Sequence, residues 1–254
     1  KLLKIHAPSY ELCSELWFFF KLIYQSIYFF LFYPKVKVYW NRLNNDFTKY
    51  MSQFLQDSIV EEILCGKRNG FFVDIGANRH DKNSNSYYFE KSLGWTGLAI
   101  DPIAKFESSW KSHRKNSKFL RYAVGNSNKK VKFVLFHTRE EDWEDMLSGV
   151  IGKVREEDLR MSHEILTVQM RKLKEILDEF EIKKIDLMSI DVEGSEMQVL
   201  KGSDFIKYRP SVVLIENTRN IYGCPHIRSF MKKNKYKFYA RISATDDLYV
   251  SNPI

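Results

Sequence analysis

Short apolar segments alternate with amphipathic segments from Phe71 to the end of the chain. The first, Phe71–Ile75, is apolar except for Asp74 and predicts a strand that is buried on both faces. Strands that alternate with helices indicate a mainly parallel sheet covered by helices on both faces. The predicted strands are Phe71–Ile75, Thr96–Asp101, Lys118–Val124, Val131–Phe136, Leu166–Met170, Ile185–Ile190, Val212–Glu216, Tyr236–Ile242 and Leu248–Val250.

The order of these segments predicts an α/β fold with a Rossmann-like, doubly wound sheet of about seven strands. The last two strands are predicted to form an antiparallel hairpin, and N-terminal helices precede the sheet. The charged segment 139–163 interrupts the alternation and predicts an insertion or lid over the strand ends. The predicted helices are Ser84–Leu93, Ile103–His113, Leu173–Phe180, Ser195–Leu200 and Ile227–Lys233.

Two regions are predicted: a helical N-terminal region, 1–66, and a domain at 67–254. Within the first, the aromatic-rich segment 12–33 is nearly long enough to span a bilayer. Ser14, Lys21 and Gln25 would form a narrow polar stripe on a helix, and a bilayer centre penalises Lys21. A membrane-surface helix, a signal anchor and a helix docked on the domain all stay open. The pattern slightly favours membrane association, so a cytoplasmic and a membrane-associated location both fit.

The net charge of +8 arises from lysines scattered along the whole chain. Scattered lysines indicate a general compositional bias rather than a binding surface, and neither zinc-finger spacing nor an RNA-binding aromatic signature supports nucleic-acid binding, so a nucleic-acid partner is not expected. The three cysteines are isolated in sequence, which excludes a disulfide framework or a cysteine metal site. Carboxylates at strand ends permit a metal but no ligand spacing demands one, so no metal ligand is assigned and metal assistance stays open.

Acidic residues stand at the ends of four predicted strands: Asp74, Asp101, Asp191 and Glu216. Open parallel sheets bind ligands at the carboxyl ends of their strands, where an acid after the second strand typically binds ribose hydroxyls. Gly76 permits a close backbone approach, but the second and third glycines of a dinucleotide fingerprint are missing. This combination suits S-adenosylmethionine, a nucleoside without phosphates, better than a nicotinamide cofactor.

Several motifs resemble the FkbM-type S-adenosylmethionine-dependent methyltransferases, a class I methyltransferase family. They are "GFFVDIGAN", "SNSYYFEKSLGWTGLAIDP", "RYAVGN", "IDLMSIDVEGSEMQVLKG" and "PSVVLIEN", in the order typical of the family. The resemblance covers roughly residues 53–216, and its most specific part is the block that contains Asp191 and Glu193. The sequence departs from many members at Arg79 and His80, where an acid or glycine is common.

The resemblance implies a role for each matching residue. Asp74, Gly76 and Asn78 would surround the methionine part of the cofactor, Asp101 would bind the ribose, and Ala123 and Val124 would flank the adenine. Ser84 and Asn85 would be supporting donors, and Asp191 would lie near the sulfonium and the acceptor, with Glu193 close by.

The resemblance implies methylation of a hydroxyl on a glycan or small molecule, which requires a group that removes the hydroxyl proton. Asp191 and Glu193 are the first candidates, and His80 is the third. Glu193 could instead cap the helix that begins near Ser195. The alternative function is a non-catalytic interaction module at a membrane, motivated by segment 12–33 and by Arg79 and His80. The sequence does not define the acceptor or the oligomeric state.

Overall fold

The computed structural model describes residues 49–137, 146–218, 223–243 and 245–251. These residues form a mixed α/β fold, the class predicted from the sequence. The helices of this part of the chain are α1 (Gln56–Ile63), α2 (Tyr87–Leu93), α3 (Glu107–His113), α4 (Leu173–Glu179), α5 (Glu196–Lys201) and α6 (Pro225–Lys233).

The strands of the described residues belong to two sheets. The large sheet contains β1 (Phe71–Ile75), β2 (Thr96–Ile100), β3 (Ser117–Leu120), β8 (Leu187–Ile190), β9 (Val212–Glu216), β10 (Tyr236–Ile242) and β11 (Asp246–Ser251). The small sheet contains β4 (Ala123–Gly125), β5 (Lys129–Phe136), β6 (Gly149–Val150) and β7 (His163–Lys172).

The large sheet has the strand order β10-β11-β9-β8-β1-β2-β3. Strand β8 is the central strand and pairs in parallel with β1 and β9, and β1 pairs in parallel with β2. Strand β11 runs antiparallel to both of its neighbours, β9 and β10. The carboxyl ends of β1, β2, β8 and β9 therefore meet at one edge, where the acidic residues follow.

The small sheet has the order β4-β7-β5-β6 and was not predicted. The segment Lys118–Val124, predicted as one strand, divides between the two sheets. Its first half lies in β3 beside β2, whereas Ala123–Gly125 pairs with Met170–Lys172 of β7. Strand β7 is also longer than predicted, since it begins at His163. Its first three residues are exposed, so no alternation of buried and exposed residues marks them as a strand.

Helices cover both faces of the large sheet. Phe72 and Val73 are neighbours in β1, point to opposite faces and are both fully buried. Val73 belongs to a cluster that includes Leu173 of α4, and Phe72 packs in a second cluster with Phe89 of α2. Two buried faces explain why this strand is almost continuously apolar.

Helix α1 packs against the same sheet, although the sequence assigns it to the N-terminal region 1–66. Val60 of this helix is fully buried in the cluster around Phe72, and the compact unit spans Phe47–Ile254. Segment 12–33 lies outside the described residues. Among the helices that the structure describes, none has the length and apolar character needed to cross a membrane.

Candidate functional site

A cavity of about 220 Å³ opens at the carboxyl edge of the large sheet. Strands β1, β2, β8 and β9 each end at its wall, with Asp74, Asp101, Asp191 and Glu216 respectively at or beside the strand end. The common direction of these strands brings together acids that are up to 142 residues apart in the sequence (216 minus 74).

Ten of the residues predicted for the site line this one cavity. They are Asp74, Gly76, Asn78, Ser84, Asn85, Asp101, Ala123, Val124, Asp191 and Glu193. Residues from the described part of the predicted insertion, Met146, Leu147, Ser148 and Val150, lie along the same wall.

His80 is the one predicted site residue that does not line the cavity. Its ring stacks on that of His113 with 4.5 Å between the centroids, and its carbonyl oxygen accepts a hydrogen bond from Arg114. Reduced hydration is the main effect on its imidazole, and it lowers the pKa of His80. The structure thus separates His80 from Asp191 and Glu193, because this part of the loop turns toward α3.

The turn after β1 brings its backbone against the next loops. Gly76 has a φ of 80°, in the left-handed region, and a Cβ there would overlap the carbonyl oxygen of Asp191. Asp101 connects this turn to the loop after β2: its Oδ2 accepts from Asn78 N (3.0 Å) and its Oδ1 from Ile103 N (2.9 Å). The cavity wall therefore depends on two features: residue 76 has no Cβ, and both oxygens of the Asp101 carboxylate accept backbone hydrogen bonds.

Five carboxylates lie at the ends of β8, β9 and β11: Asp191, Glu193, Glu196, Glu216 and Asp246. One oxygen each of Asp191, Glu193 and Glu216 lies within 4.8 Å of the other two. Reduced hydration, and then repulsion by neighbouring acids, raises the pKa of Glu193 to about 8 and those of Asp191 and Glu216 well above the ordinary value. This end of the cavity therefore contains several carboxyl groups that hold their protons more tightly than usual.

Glu193 does not cap helix α5. The N-cap residue is Ser195, and no side chain makes a capping hydrogen bond there. Glu196 instead accepts from the backbone N–H of Gly194 at 2.8 Å. Glu193 has a φ of 50° and, with its carboxylate within reach of Asp191 and Glu216, contributes to the cavity rather than to the helix end.

A family model described as "Methyltransferase FkbM domain" matches residues 74–238, which is 165 of the 254 residues and includes the carboxyl ends of β1, β2, β8 and β9. The chain belongs to the FkbM methyltransferase family. Comparisons with curated proteins and with solved structures gave no match.

Arg114 holds the loop between β1 and α2, which forms part of the cavity wall in this FkbM domain. Its side chain is fully buried, and its Nε donates to Glu90 Oε2 at 2.7 Å. The remaining guanidinium nitrogens donate to the carbonyl oxygen of His80 and to Ser86 Oγ. A single arginine at the end of a polar helix carries no signal in the sequence, so only the structure reveals that it fixes the loop between β1 and α2.

The region before the FkbM match also contributes to the cavity. Gln53 and Gln56 line it together with Asp246, and Gln56 Nε2 donates to Asp246 Oδ2 at 2.8 Å. This contact joins residues 190 positions apart in the sequence. No local pattern marks such a pair, and Asp246 and Gln56 were accordingly not predicted.

Proposed function

We propose that this FkbM domain is an S-adenosylmethionine-dependent methyltransferase that methylates a hydroxyl group of a glycan or small molecule. One observation carries the proposal: ten residues chosen from sequence motifs, far apart in the chain, line one cavity at the sheet edge. The family match supports methyl transfer as the reaction. The acidic end of the cavity supports a hydroxyl acceptor, because proton removal needs a base within reach.

The cavity has the hydrogen-bonding groups that the cofactor requires. Asp74 is 4% exposed, and its Oδ2 and the buried Oδ1 of Asn85 have no hydrogen-bond partner among the described residues. Buried polar atoms without partners are rare, so these oxygens are acceptors available to a ligand. Asp74 would accept from the ammonium group, Asp101 would accept from the ribose hydroxyls, and Ala123 and Val124 would contact the adenine.

When bound, the cofactor would supply an activated methyl group for transfer to the acceptor oxygen, with S-adenosylhomocysteine as the leaving group. The protein's contribution is to position the acceptor and to assist removal of its proton. Asp191 and Glu193 face the cavity from the loop after β8 and lie close enough to share this task. A carboxylate whose pKa is raised holds a proton more tightly than an ordinary one and is a better base when ionised.

The first test is binding of S-adenosylhomocysteine to the full chain, measured by calorimetry. We expect one site, and at least a tenfold weaker affinity for Asp101→Asn. The second test is transfer of a labelled methyl group to sugars, lipids and RNA, comparing Asp191→Asn with the wild type. The matched control is Asp178→Asn. Asp178 lies on α4 and forms an exposed ion pair with Lys207.

We expect labelling of a sugar or small-molecule hydroxyl that Asp191→Asn reduces at least a hundredfold and Asp178→Asn leaves unchanged. Absence of cofactor binding would favour the non-catalytic interaction module instead. Labelling of RNA alone would contradict the proposed acceptor class while keeping the methyltransferase.

A further inference from the structure

We propose that Asp191, Glu193 and Glu216 bind a divalent cation at the acidic end of the cavity. The binding itself is independent of the methyl donor. Its role, which is to hold and polarise the acceptor hydroxyl, rests on the proposed function. The sequence assigns no metal ligand and leaves open whether a metal assists, and the proposal answers that question.

The spacing of the three carboxylates suits a hard cation. Their nearest oxygens lie within 4.8 Å of one another. Ligands on opposite sides of Mg²⁺ are about 4.2 Å apart and those on Ca²⁺ about 4.6–5.2 Å, and both ions prefer oxygen ligands. Asp191 and Glu216 follow or end the neighbouring parallel strands β8 and β9, so the sheet holds these two at a fixed separation.

A buried oxygen without a partner points to a missing ligand independently of the acidic composition. Glu216 is 9% exposed, lines the cavity, and its Oε2 has no hydrogen-bond partner among the described residues. Ser195, 2% exposed, also lines the cavity, and its Oγ has no partner in that part of the chain either. A buried carboxylate oxygen without a donor is costly, and a bound cation would remove that cost.

Among the described residues, the three carboxylates have no cation paired directly with them. In the described ranges, no lysine or arginine lies within ion-pair distance of Asp191, Glu193 or Glu216. Arg155 acts on Glu193 only from a distance, and its own ion pair, at 2.7 Å, is with Asp158. Buried carboxyl groups that lack a paired cation either hold a proton or coordinate a metal, and a bound divalent cation would take the place of the proton.

The test uses the full-length chain freed of metal by a chelator, without methyl donor or acceptor. Mn²⁺ is titrated and its free form is followed by electron paramagnetic resonance, and Mg²⁺ is titrated by calorimetry. We expect one site, with affinity reduced at least tenfold in both Glu193→Gln and Glu216→Gln. Glu175→Gln, at a partly exposed carboxylate on α4 that contacts Lys172, is the matched control and should bind as the wild type does.

The thermal midpoint of the metal-free protein separates lost ligation from lost folding. Because each glutamine substitution removes a like charge from the cluster, the metal-free midpoint should stay the same or rise, while the Mn²⁺-induced increase disappears. Failure to bind Mn²⁺ or Mg²⁺ at millimolar concentration, or binding that both substitutions leave unchanged, would overturn the proposal. S-adenosylhomocysteine titrated into the chelated protein reports on the proposed function separately, since that site does not need the metal.

Discussion

Gly76 packs against the main-chain carbonyl of Asp191 so closely that no side-chain carbon fits between them. The contact joins the turn after β1, which follows Asp74, to the loop after β8, which carries Asp191 and Glu193. The geometry of the cavity therefore depends on the absence of a single atom at residue 76.

Gly76→Ala should abolish detectable binding of S-adenosylhomocysteine and lower the free energy of unfolding by several kcal/mol. The added Cβ overlaps the Asp191 carbonyl, and a left-handed residue other than glycine costs about 1–2 kcal/mol by itself. Gly152→Ala measures the cost of the left-handed backbone alone, because Gly152 has a φ of 75° and a methyl group added there would meet no atom within 4 Å. Urea unfolding measures both, and equal losses at the two positions would contradict the close contact.

Asp101→Asn should weaken S-adenosylhomocysteine binding at least tenfold and destabilise the fold by about 1–3 kcal/mol. The two carboxylate oxygens accept from different backbone N–H groups, on Asn78 and Ile103. Asparagine replaces one of these oxygens with an NH₂ group, which would then point at a backbone N–H that is also a donor. The control is Asp204→Asn. There a single oxygen accepts from both Ile206 N and Lys207 N, and asparagine keeps that oxygen. Calorimetry and urea unfolding should show no comparable change for the control.

The sequence predicts the part of this fold that depends on buried parallel strands. Runs such as Phe71–Ile75 are apolar because both faces are covered, and their common direction then places Asp74, Asp101 and Asp191 at one edge. Most of β5 and the middle of β7 were predicted as strands, but their separate sheet was not, because the alternating apolar residues of β7 do not show which strand pairs with it. Arg114 and the Gln56–Asp246 contact also escaped, since each depends on packing between segments that are distant in the chain.

Arg114→Met should destabilise the protein by about 3–5 kcal/mol, because it leaves the buried Glu90 carboxylate without its cation. Arg114→Lys should recover only part of this loss, since one ammonium group cannot reach Glu90, Ser86 and the His80 carbonyl at once. Urea unfolding of both variants measures the effect. Lys111→Met removes an exposed ion pair on the same helix and should have a much smaller effect. An equally large loss there would contradict the assigned role of Arg114.

The stability that Asp247 provides should disappear in acid. Burial acts to raise the pKa of Asp247, but hydrogen bonds from Arg228 and Arg241 outweigh it and hold the pKa below the ordinary value. A carboxyl group with a lowered pKa in the folded state stabilises the protein above its unfolded pKa of about 3.9. That contribution is lost as the pH falls through the folded value.

Asp247→Asn should therefore cost about 3–5 kcal/mol at neutral pH, because it leaves the buried Arg241 without its carboxylate partner. The difference in unfolding free energy between wild type and variant should stay constant from pH 7 to about pH 5, and shrink steadily as the pH falls below the unfolded pKa of about 3.9. Urea unfolding across this range measures it, with Asp178→Asn as the control at an exposed pair. A difference that persists unchanged at the lowest pH would mean that Asp247 stabilises the fold through its shape and hydrogen bonds rather than through its charge.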